Sequence, residues 1–491
     1  MEKKNIMPAI ITDRFRIHNS EQFQEAFSEA SGNTMYLGIG SPQAFATSTR
    51  GDARTNNEGT DIAPITPADN LNAQHFPYDD MLAAKKIGAS NVTFAIPRRN
   101  WTTGTVYDHY RHDYGEYITG GTTAQTSNSG ASTLFDASFY VLTTDRNIYK
   151  CLDNNGNAAS TVEPTGTSTA ILATADGYKW KYMYTLTASQ QANFLSTDFM
   201  AVATDSTVSS AAIDGQIDVI KIKSAGTGGT NGTHTGVAIK GDGSGGVCSV
   251  TIAGGVITAV TITAAGTGYT YGTISNAEIV AAGATSLSGA ELDVIISPQG
   301  GHGFNAVEEL GGFFVMLNTS LEGTESSNSG DVTVANDFRK ITLIRDPESG
   351  ASAATANTLR ATRAVNVAGI TGSYVVDEKI TQTSTGAIGK VVEWDSTNSI
   401  LYYIQTRHAD EGIDANGNQT AFSGTNLITG AGGATATPTT STSTINNVVF
   451  VSGYSVSEID HDSGDILYIE NRAPITRAAD QTENIKLVIE F

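Results

Sequence analysis

The chain has 491 residues, of which 39% are hydrophobic and 16% are charged, and glycine occurs 51 times. This length exceeds one ordinary hydrophobic core and suggests about three domains. The glycine content, together with abundant Ser, Thr, Asn and Ala, argues against a helical bundle, because bundle sequences are rich in Leu, Glu and Lys. We therefore predict a β-rich fold of the α+β class.

The formal net charge is −21, from 29 basic and 50 acidic residues. Such a surface repels nucleic-acid phosphates and anionic lipids, so we expect neither a nucleic-acid partner nor membrane insertion. The strongly apolar run Phe313–Leu317 is also far shorter than a membrane span. Cys151 and Cys248 lie in segments of different composition, which predicts free thiols and a reducing cytoplasm.

The first elements alternate between strand and helix patterns. Ala9–Phe15 has the pattern of a strand, and Glu21–Ala30 has that of a helix whose Phe23 and Phe27, four residues apart, share one face. Met35–Ile39 follows as a buried strand. The sequence therefore predicts a strand, a helix and a second strand at the start of the chain.

The next stretch contains one predicted helix and four predicted strands. Tyr78–Ile87 is interpreted as a short helix, and Val92–Ile96 as a strand that ends at a proline. Phe139–Leu142 and Asn147–Leu152 form a predicted hairpin, and the aromatic, alternating segment Tyr178–Leu186 predicts another strand.

A glycine-rich segment at residues 217–295 interrupts this pattern and contains an internal repeat. The run that begins at Ile220 (IKIKSAGTGGTNGT) is matched forty residues later by the run that begins at Val260 (VTITAAGTGYTYGT). Each copy predicts an alternating strand followed by an AGTG turn. Because one copy alone buries too little apolar surface, we expect the two copies to pack on each other as a small β module.

A second insert, rich in Ala, Ser, Thr and Gly, is predicted at residues 349–447. It contains the hairpin Gly389–Trp394 and Ile400–Gln405, and its low-complexity run Gly430–Thr444 is interpreted as a linker. The predicted core is discontinuous, with a mixed sheet built from both chain ends and with the two small all-β modules inserted into it. Its three parts are residues 1–216, 296–348 and 448–491.

The last 28 residues, Gly464–Phe491, predict two core strands. Ile466–Ile469 is apolar, Asn471–Pro474 interrupts the pattern, and apolar residues then alternate from Ile485 to Phe491. A strand that runs to the last residue predicts that the two ends of the chain build one core.

The sequence contains few patterns typical of catalysis or ligand binding. Gly241–Gly246 fits G-x-G-x-x-G but leads into a strand, so a turn is favoured over a nucleotide site. His109 and His112 allow part of a metal site or ordinary polar contacts, and Asp414–Asn418 favours a turn over a calcium loop. A carboxylate pair of Asp465 and Glu470 lacks a predicted cleft. We therefore predict no enzyme activity, no cofactor and no resident metal.

Pro97–Trp101 is the clearest candidate for an interaction site. Two guanidinium groups, Arg98 and Arg99, follow a strand end, and Trp101 lies within reach. In a chain this acidic, such a cluster suits a partner that presents carboxylates. The alternative is that one or both arginines tie loops of the same chain together.

Several collinear segments resemble one known family, the gene product eight family of baseplate wedge subunits in T4-like contractile-tailed bacteriophages. The C-terminal segment GDILYIENRAPI…DQTENIKLVIEF is the most specific of them. The glycine-rich inserts make the chain similar to longer members expected in cyanophages. The matching segments are Ala9–Arg16, Thr34–Gly40, Ala95–Trp101, Asn147–Asp153, Asp176–Tyr182 and Gly464–Phe491.

The resemblance implies a structural, non-enzymatic protein of the virion that is located in the tail baseplate and assembled in the host cytoplasm. It implies partners of two kinds, a second copy of the chain in a homodimer and other baseplate wedge proteins. A host-binding adhesin or tail-fibre component that displays glycine-rich β modules is the alternative. The candidate interface or fold-determining residues are Arg98, Arg99, Trp101, Glu470, Asn471 and Arg472.

Overall fold

The computed structural model describes residues 10–29, 33–45, 59–117, 121–324, 331–333, 335–406, 412–475, 477 and 481–491. The chain forms two compact units, each assembled from separate segments. The first unit comprises Met1–Gln22, Thr93–Met316 and Val488–Phe491, and the second comprises Phe23–Val92 and Leu317–Leu487. Strands in several sheets dominate the described residues, and the helices are short, which confirms the predicted β-rich α+β class.

The first unit contains an antiparallel sheet of four strands whose aromatic side chains are buried. Trp180, Tyr149 and Tyr178 are almost completely excluded from solvent, because alternation along the strands turns them into the core. Val92–Pro97 pairs separately with Phe199–Ala201. The order of the sheet is Tyr140–Leu142, Asn147–Asp153, Lys179–Thr185 and Leu172–Ala173.

The glycine-rich module, residues 217–296, has its own hydrophobic cluster within the first unit. Ile220 and Val260, at equivalent positions of the repeat, both pack against this cluster, which confirms that the two copies pack together. Gly226 and Gly266 have φ values of 64° and 67°, and an added Cβ would lie 2.9 and 2.7 Å from backbone atoms. Both glycines lie near the ends of strands rather than in a turn after them, and a positive φ with the close backbone of a neighbouring strand leaves no room there for a side chain. The module's strands are Ile217–Thr227, Gly232–Ala238, Lys240–Gly241, Ser244–Ala253, Val256–Thr267, Gly272–Thr273 and Ser288–Ile296.

The second unit contains an antiparallel sheet of five strands. Its central strand, Met35–Gly40, is buried along its whole length, as the sequence predicts. Asp465–Asn471 lies at one edge of this sheet and pairs with Lys340–Arg345. The order is Thr358–Arg360, Met81–Ile87, Met35–Gly40, Lys340–Arg345 and Asp465–Asn471.

Six further strands of the second unit close into a small barrel. Arg363–Thr371 pairs with Ile400–Ile404, which joins the first and last strands of the ring. The hairpin predicted around residues 395–399 is confirmed as Ala387–Asp395 and Ile400–Ile404. The ring order is Ile400–Ile404, Ala387–Asp395, Lys379–Gln382, Ile428–Gly430, Thr435–Pro438 and Arg363–Thr371, and Tyr454–Ser455 is attached to the last strand.

The remaining elements are short, apart from two long strands and one helix of 13 residues. The strands are Phe314–Thr324, Val332–Thr333, Ser443–Ile445, Val448–Phe450 and Thr482–Glu490. The α helices are Asp13–Glu25, Ala188–Phe194, Ser206–Ser210, Asn276–Ala281 and Ala306–Leu310, and the 3-10 helices are Leu71–Gln74, Phe76–Tyr78 and Ala89–Asn91.

The N-terminal prediction is wrong in its boundaries. The helix spans Asp13–Glu25, so it begins inside the predicted strand and ends before the predicted helix end. Ile10 and Ile11 are 85% and 70% exposed, so their apolar character does not mark a buried strand. Phe23 and Phe27 do pack edge to face at 5.2 Å. Ala9 and Ala30, the outer limits of the two predictions, lie outside the described residues.

The helix predicted at Tyr78–Ile87 is also wrong, because Met81–Ile87 is a strand. The Leu, Ala and Lys residues of this segment favour a helix in isolation. The strand is instead hydrogen-bonded on both sides, to Met35–Gly40 and to Thr358–Arg360. Pairing within the sheet therefore overrides the local preference.

The run Gly430–Thr444 is not a linker. Thr435–Pro438 is a strand of the barrel, and Ala434 and Ala436 are buried in its interior. Small side chains suit the inside of a narrow barrel, where larger residues from neighbouring strands fill the remaining space. The small residues of this run therefore reflect the limited space inside the barrel, and they do not mark an extended linker.

The two ends of the described chain meet within the first unit. Arg16 Nε donates to the Phe491 carbonyl at 2.5 Å, and its Nη2 lies 2.5 Å from the Glu490 carboxylate. Val488 packs against the cluster that contains Ile17. The predicted contact between the chain ends is confirmed, whereas the predicted domain boundaries at 216, 295, 348 and 447 stay a prediction.

Candidate interface sites

Arg99 holds a loop of its own chain. Its Nη1 donates to the Ala137 carbonyl, and its Nη2 donates to the Phe135 carbonyl at 3.0 Å. The guanidinium also lies 4.6 Å from the centroid of the Tyr140 ring. Burial raises the pKa of Tyr140 to about 12, with Arg99 opposing the shift. Arg99 therefore fixes the turn that precedes the strand Tyr140–Leu142.

Arg98 and Trp101 make further contacts around the same strand end. Arg98 Nη1 donates to the Ser196 carbonyl at 2.8 Å, and its Nε donates to Asn100 Oδ1 at 3.0 Å. Trp101 Nε1 donates to Ser160 Oγ at 3.1 Å, and its ring packs partly buried against the aromatic cluster. These contacts belong to the alternative in which the motif joins loops of one chain, and a role toward a partner stays a prediction.

Glu470, Asn471 and Arg472 form the second candidate group, at the end of the edge strand Asp465–Asn471. Tyr468 donates its hydroxyl to Glu470 Oε2 at 3.1 Å, and burial together with Glu470 raises the pKa of Tyr468. Asn471 Nδ2 donates to the Ile65 carbonyl at 3.0 Å. The guanidinium of Arg472 lies 5.9 Å from the Phe338 ring centroid. The three side chains are all partly exposed.

Asp61 and Arg339 anchor the loop that Asn471 contacts. Arg339 binds both oxygens of Asp61, at 2.8 and 2.9 Å, and donates to the Pro42 carbonyl at 2.6 Å. The hydrogen bond from Arg339 lowers the pKa of Asp61. Arg472 N donates to the Arg339 carbonyl at 2.8 Å. The segment around Glu470 is therefore connected to a fixed part of the second unit.

A buried ion pair in the first unit escaped the sequence analysis. Lys150 and Glu309 contact each other with side chains that are 0% and 3% exposed. Lys150 Nζ also lies 4.9 Å from the Tyr110 ring centroid, and Glu309 Oε1 accepts hydrogen bonds from the backbone of Gly303 and Asn305 at 2.8 and 3.2 Å. A lysine inside a buried strand was the available signal. Its acidic partner lies 159 positions away and could not be assigned.

His109 and His112 each form a hydrogen bond with a backbone group of the chain. His109 Nδ1 lies 3.0 Å from the Tyr110 carbonyl, and burial lowers the pKa of His109 to about 4. The Ile296 backbone N–H donates to His112 Nδ1 at 3.2 Å. Asp414 accepts from the backbone of Asn416 and Asn418 at 2.8 and 2.9 Å, as expected for a turn.

Two kinds of feature are absent from the described residues. Within the described ranges, no group of three or more His, Cys, Asp or Glu side chains is arranged to hold a metal ion. The helices described for this chain include none with the length and apolar character needed to cross a membrane.

Comparison with known families gives a match at both ends of the chain. Residues 9–213 and 410–491 match the family described as Bacteriophage T4, Gp8. No curated protein matches the chain. The match includes all six segments that carried the resemblance, but it does not include the predicted core segment 296–348, and it extends into the predicted second insert. Because the match covers more than half of the chain, the chain belongs to the bacteriophage T4 Gp8 family, whose members are structural wedge proteins of the phage baseplate.

Proposed function

We propose that the chain forms a homodimer and joins other wedge proteins to assemble the baseplate of a contractile tail. The observation that carries this proposal is the family match at both ends of the chain, residues 9–213 and 410–491. The proposal places the mature protein in the virion and its assembly in the host cytoplasm. Cys151 and Cys248 are free and buried, which suits folding in a reducing compartment.

The proposed role is mechanical rather than catalytic. Ion pairs between residues distant in sequence connect the segments of each unit. Lys150 pairs with Glu309 in the first unit, and Arg339 pairs with Asp61 in the second. A body held in this way keeps neighbouring subunits in one arrangement until contraction of the tail changes their interfaces. The net charge of −21 keeps the free subunit soluble, and Arg98 and Arg472 supply local positive charge for docking.

Association of purified proteins tests this proposal. The full chain, carrying an affinity tag, is purified alone and after co-expression with the other wedge proteins of its phage. Sedimentation equilibrium gives the molecular mass of each purified sample. We expect a dimer of the isolated chain and co-purification of at least one wedge protein. A chain that remains monomeric and retains no wedge protein would show that the proposal is wrong.

Variants at the two candidate sites refine the test. Arg98→Ala and Arg472→Ala are expected to weaken association by about tenfold each if these side chains contact a partner, since interface arginines often contribute about 1–2 kcal/mol. Lys223→Ala is the matched control, because its exposed pair with Glu291 lies on the glycine-rich module. Equal association of all three variants would assign the two arginines to the fold alone.

A further inference from the structure

The strand Asp465–Asn471 has an open edge. It pairs on one side with Lys340–Arg345, and among the described strands none pairs with its other side. An edge strand directs about half of its backbone N–H and C=O groups away from the sheet, where they are available to a further strand. Leu467, which lies at an irregularity in the pairing between Ile466 and Tyr468, is 43% exposed.

The charges around this edge are balanced. Asp465 forms an ion pair with Arg345 on the neighbouring strand, and Glu470 is followed two positions later by Arg472 on the same face. Two copies of a chain with net charge −21 repel over most of their surfaces. At this edge, each acidic side chain has an arginine nearby, so close approach of a second copy adds little repulsion.

We propose that this edge is the contact between two copies of the chain, paired antiparallel about a two-fold axis. The inference rests on the proposed homodimer and names the surface that forms it. A two-fold axis perpendicular to a sheet pairs an edge strand with its own copy in the antiparallel direction. The result is one continuous sheet of ten strands across the dimer, five from each copy.

Full overlap of the seven residues fixes the register of this pairing. The axis then passes beside Tyr468, and Leu467 stands opposite Ile469 of the second copy in both halves of the contact. The two Glu470 side chains lie four residues apart along the seam, about 14 Å at 3.4 Å per residue. This separation exceeds the screening length of about 10 Å at 0.1 M salt, so the like charges do not oppose pairing.

Cysteine cross-linking of the full chain tests the register. Directly opposed residues of antiparallel strands have Cα atoms about 4.5–5.5 Å apart, which a disulfide can span. Tyr468→Cys is therefore expected to form a disulfide between copies under mild oxidation, whereas Glu470→Cys is not. Background cross-linking should be low, because Cys151 and Cys248 are buried. Equal cross-linking of the two variants, or none at position 468, would overturn the register.

Charge exchange at Leu467 tests the two-fold arrangement itself. In the proposed register the two copies of this residue are diagonal neighbours, about 7–8 Å apart. Leu467→Lys and Leu467→Glu are each expected to raise the dissociation constant of the dimer at least tenfold. An equimolar mixture of the two variants is expected to regain most of the wild-type affinity. Leu427→Lys is the matched control, because Leu427 is 51% exposed and adjoins the barrel strand Ile428–Gly430 rather than a strand of the five-stranded sheet.

The outcomes separate this inference from the proposed function. A wild-type dimer that survives Leu467→Lys, with no cross-link at position 468, would overturn the edge contact and leave dimerisation in place. A wild-type chain that is monomeric at every concentration would overturn both. Circular dichroism of each variant confirms folding before its association is measured.

Discussion

Replacing Glu309 by glutamine is expected to destabilise the first unit by about 3–5 kcal/mol at pH 7. The amide oxygen can still accept the hydrogen bonds from the backbone of Gly303 and Asn305. The change therefore removes chiefly the negative charge beside Lys150, whose side chain is 0% exposed. A buried ammonium group without its partner has neither water nor a counter-charge, and this desolvation is the source of the expected loss.

The pH dependence of the loss identifies its cause. Burial lowers the pKa of Lys150 below the ordinary 10.5, and Glu309 opposes this shift. Without the carboxylate, the folded-state pKa should fall further. Between the folded and unfolded pKa values the unfolded chain binds more protons, so stability rises with pH there. The deficit of the variant should therefore shrink between pH 7 and pH 9, by at most about 1.4 kcal/mol per pH unit.

Urea unfolding followed by tryptophan fluorescence measures this effect. In a Trp394→Phe background the remaining tryptophans, Trp101 and Trp180, both belong to the first unit. Glu308→Gln is the matched control, because Glu308 lies on the same short helix and its pair with Arg14 is exposed, at 41% and 67%. The control is expected to cost less than about 1 kcal/mol. A loss below about 1 kcal/mol in the Glu309 variant, or one independent of pH, would refute the reasoning.

Two further predictions concern buried polar groups. Burial alone would raise the pKa of Asp108, but hydrogen bonds from Ser129 and Ser138 outweigh burial, and the pKa of the folded protein is lowered. The Asp108 carboxylate therefore stabilises the fold at pH values above its unfolded-state pKa. This stabilisation is lost as the pH falls through the folded-state pKa. Asp108→Asn should therefore lower the free energy of unfolding, measured with urea, by about 1–3 kcal/mol at pH 7 and by less near pH 3. An equal loss at both pH values would contradict this. Burial raises the pKa of the Cys248 thiol to about 11 and that of the Cys151 thiol well above its usual value. A thiol reagent at pH 8 should therefore react with neither cysteine until urea unfolds the protein. Rapid reaction of either thiol in the native protein would contradict their burial.

Sequence patterns predicted those elements whose local and tertiary preferences agree. The hairpin Tyr140–Leu142 and Asn147–Asp153 and the strand Lys179–Thr185 are aromatic and β-branched segments that also lie in a buried sheet. The final strand, Thr482–Glu490, alternates as predicted, with Ile485 and Leu487 buried. In these cases a period of two was sufficient to locate the strand.

The failures arose where partners distant in sequence decide the structure. Met81–Ile87 has residues that favour a helix, but strands on both of its sides supply the hydrogen bonds that make it a strand. The barrel strand Thr435–Pro438 contributes only small buried residues such as Ala436, because larger side chains from other strands, such as Tyr403 and Ile428, fill the interior beside it. Neither constraint can be recognised until the partner strands are known.

The candidate sites were predictable by residue type but not by contact. Arg99 was recognised as a cation near an aromatic residue, whereas the three consecutive carbonyl groups that it meets lie in a loop about forty positions away. The buried pair of Lys150 and Glu309 was missed for the same reason. Pairing across such separations depends on topology, which one sequence without its fold does not specify.

Ion pairs also connect the family-matched part of the chain to the unmatched glycine-rich module. Arg111 lies 2.7 Å from the Asp293 carboxylate, and Lys221 forms an ion pair with Asp153. Arg111 and Asp153 belong to the matched residues, and Lys221 and Asp293 belong to strands at the base of the module. The module is therefore linked to the rest of the first unit through both of these paired strands.

A cryo-electron microscopy map of the tail from the phage that encodes this chain tests the proposed role most directly. We expect the first and second units to fit density within the baseplate wedge, with two copies of the chain in contact and other wedge proteins against them. Density for the chain only in a tail fibre, or a baseplate map that contains no copy of it, would contradict the proposed role.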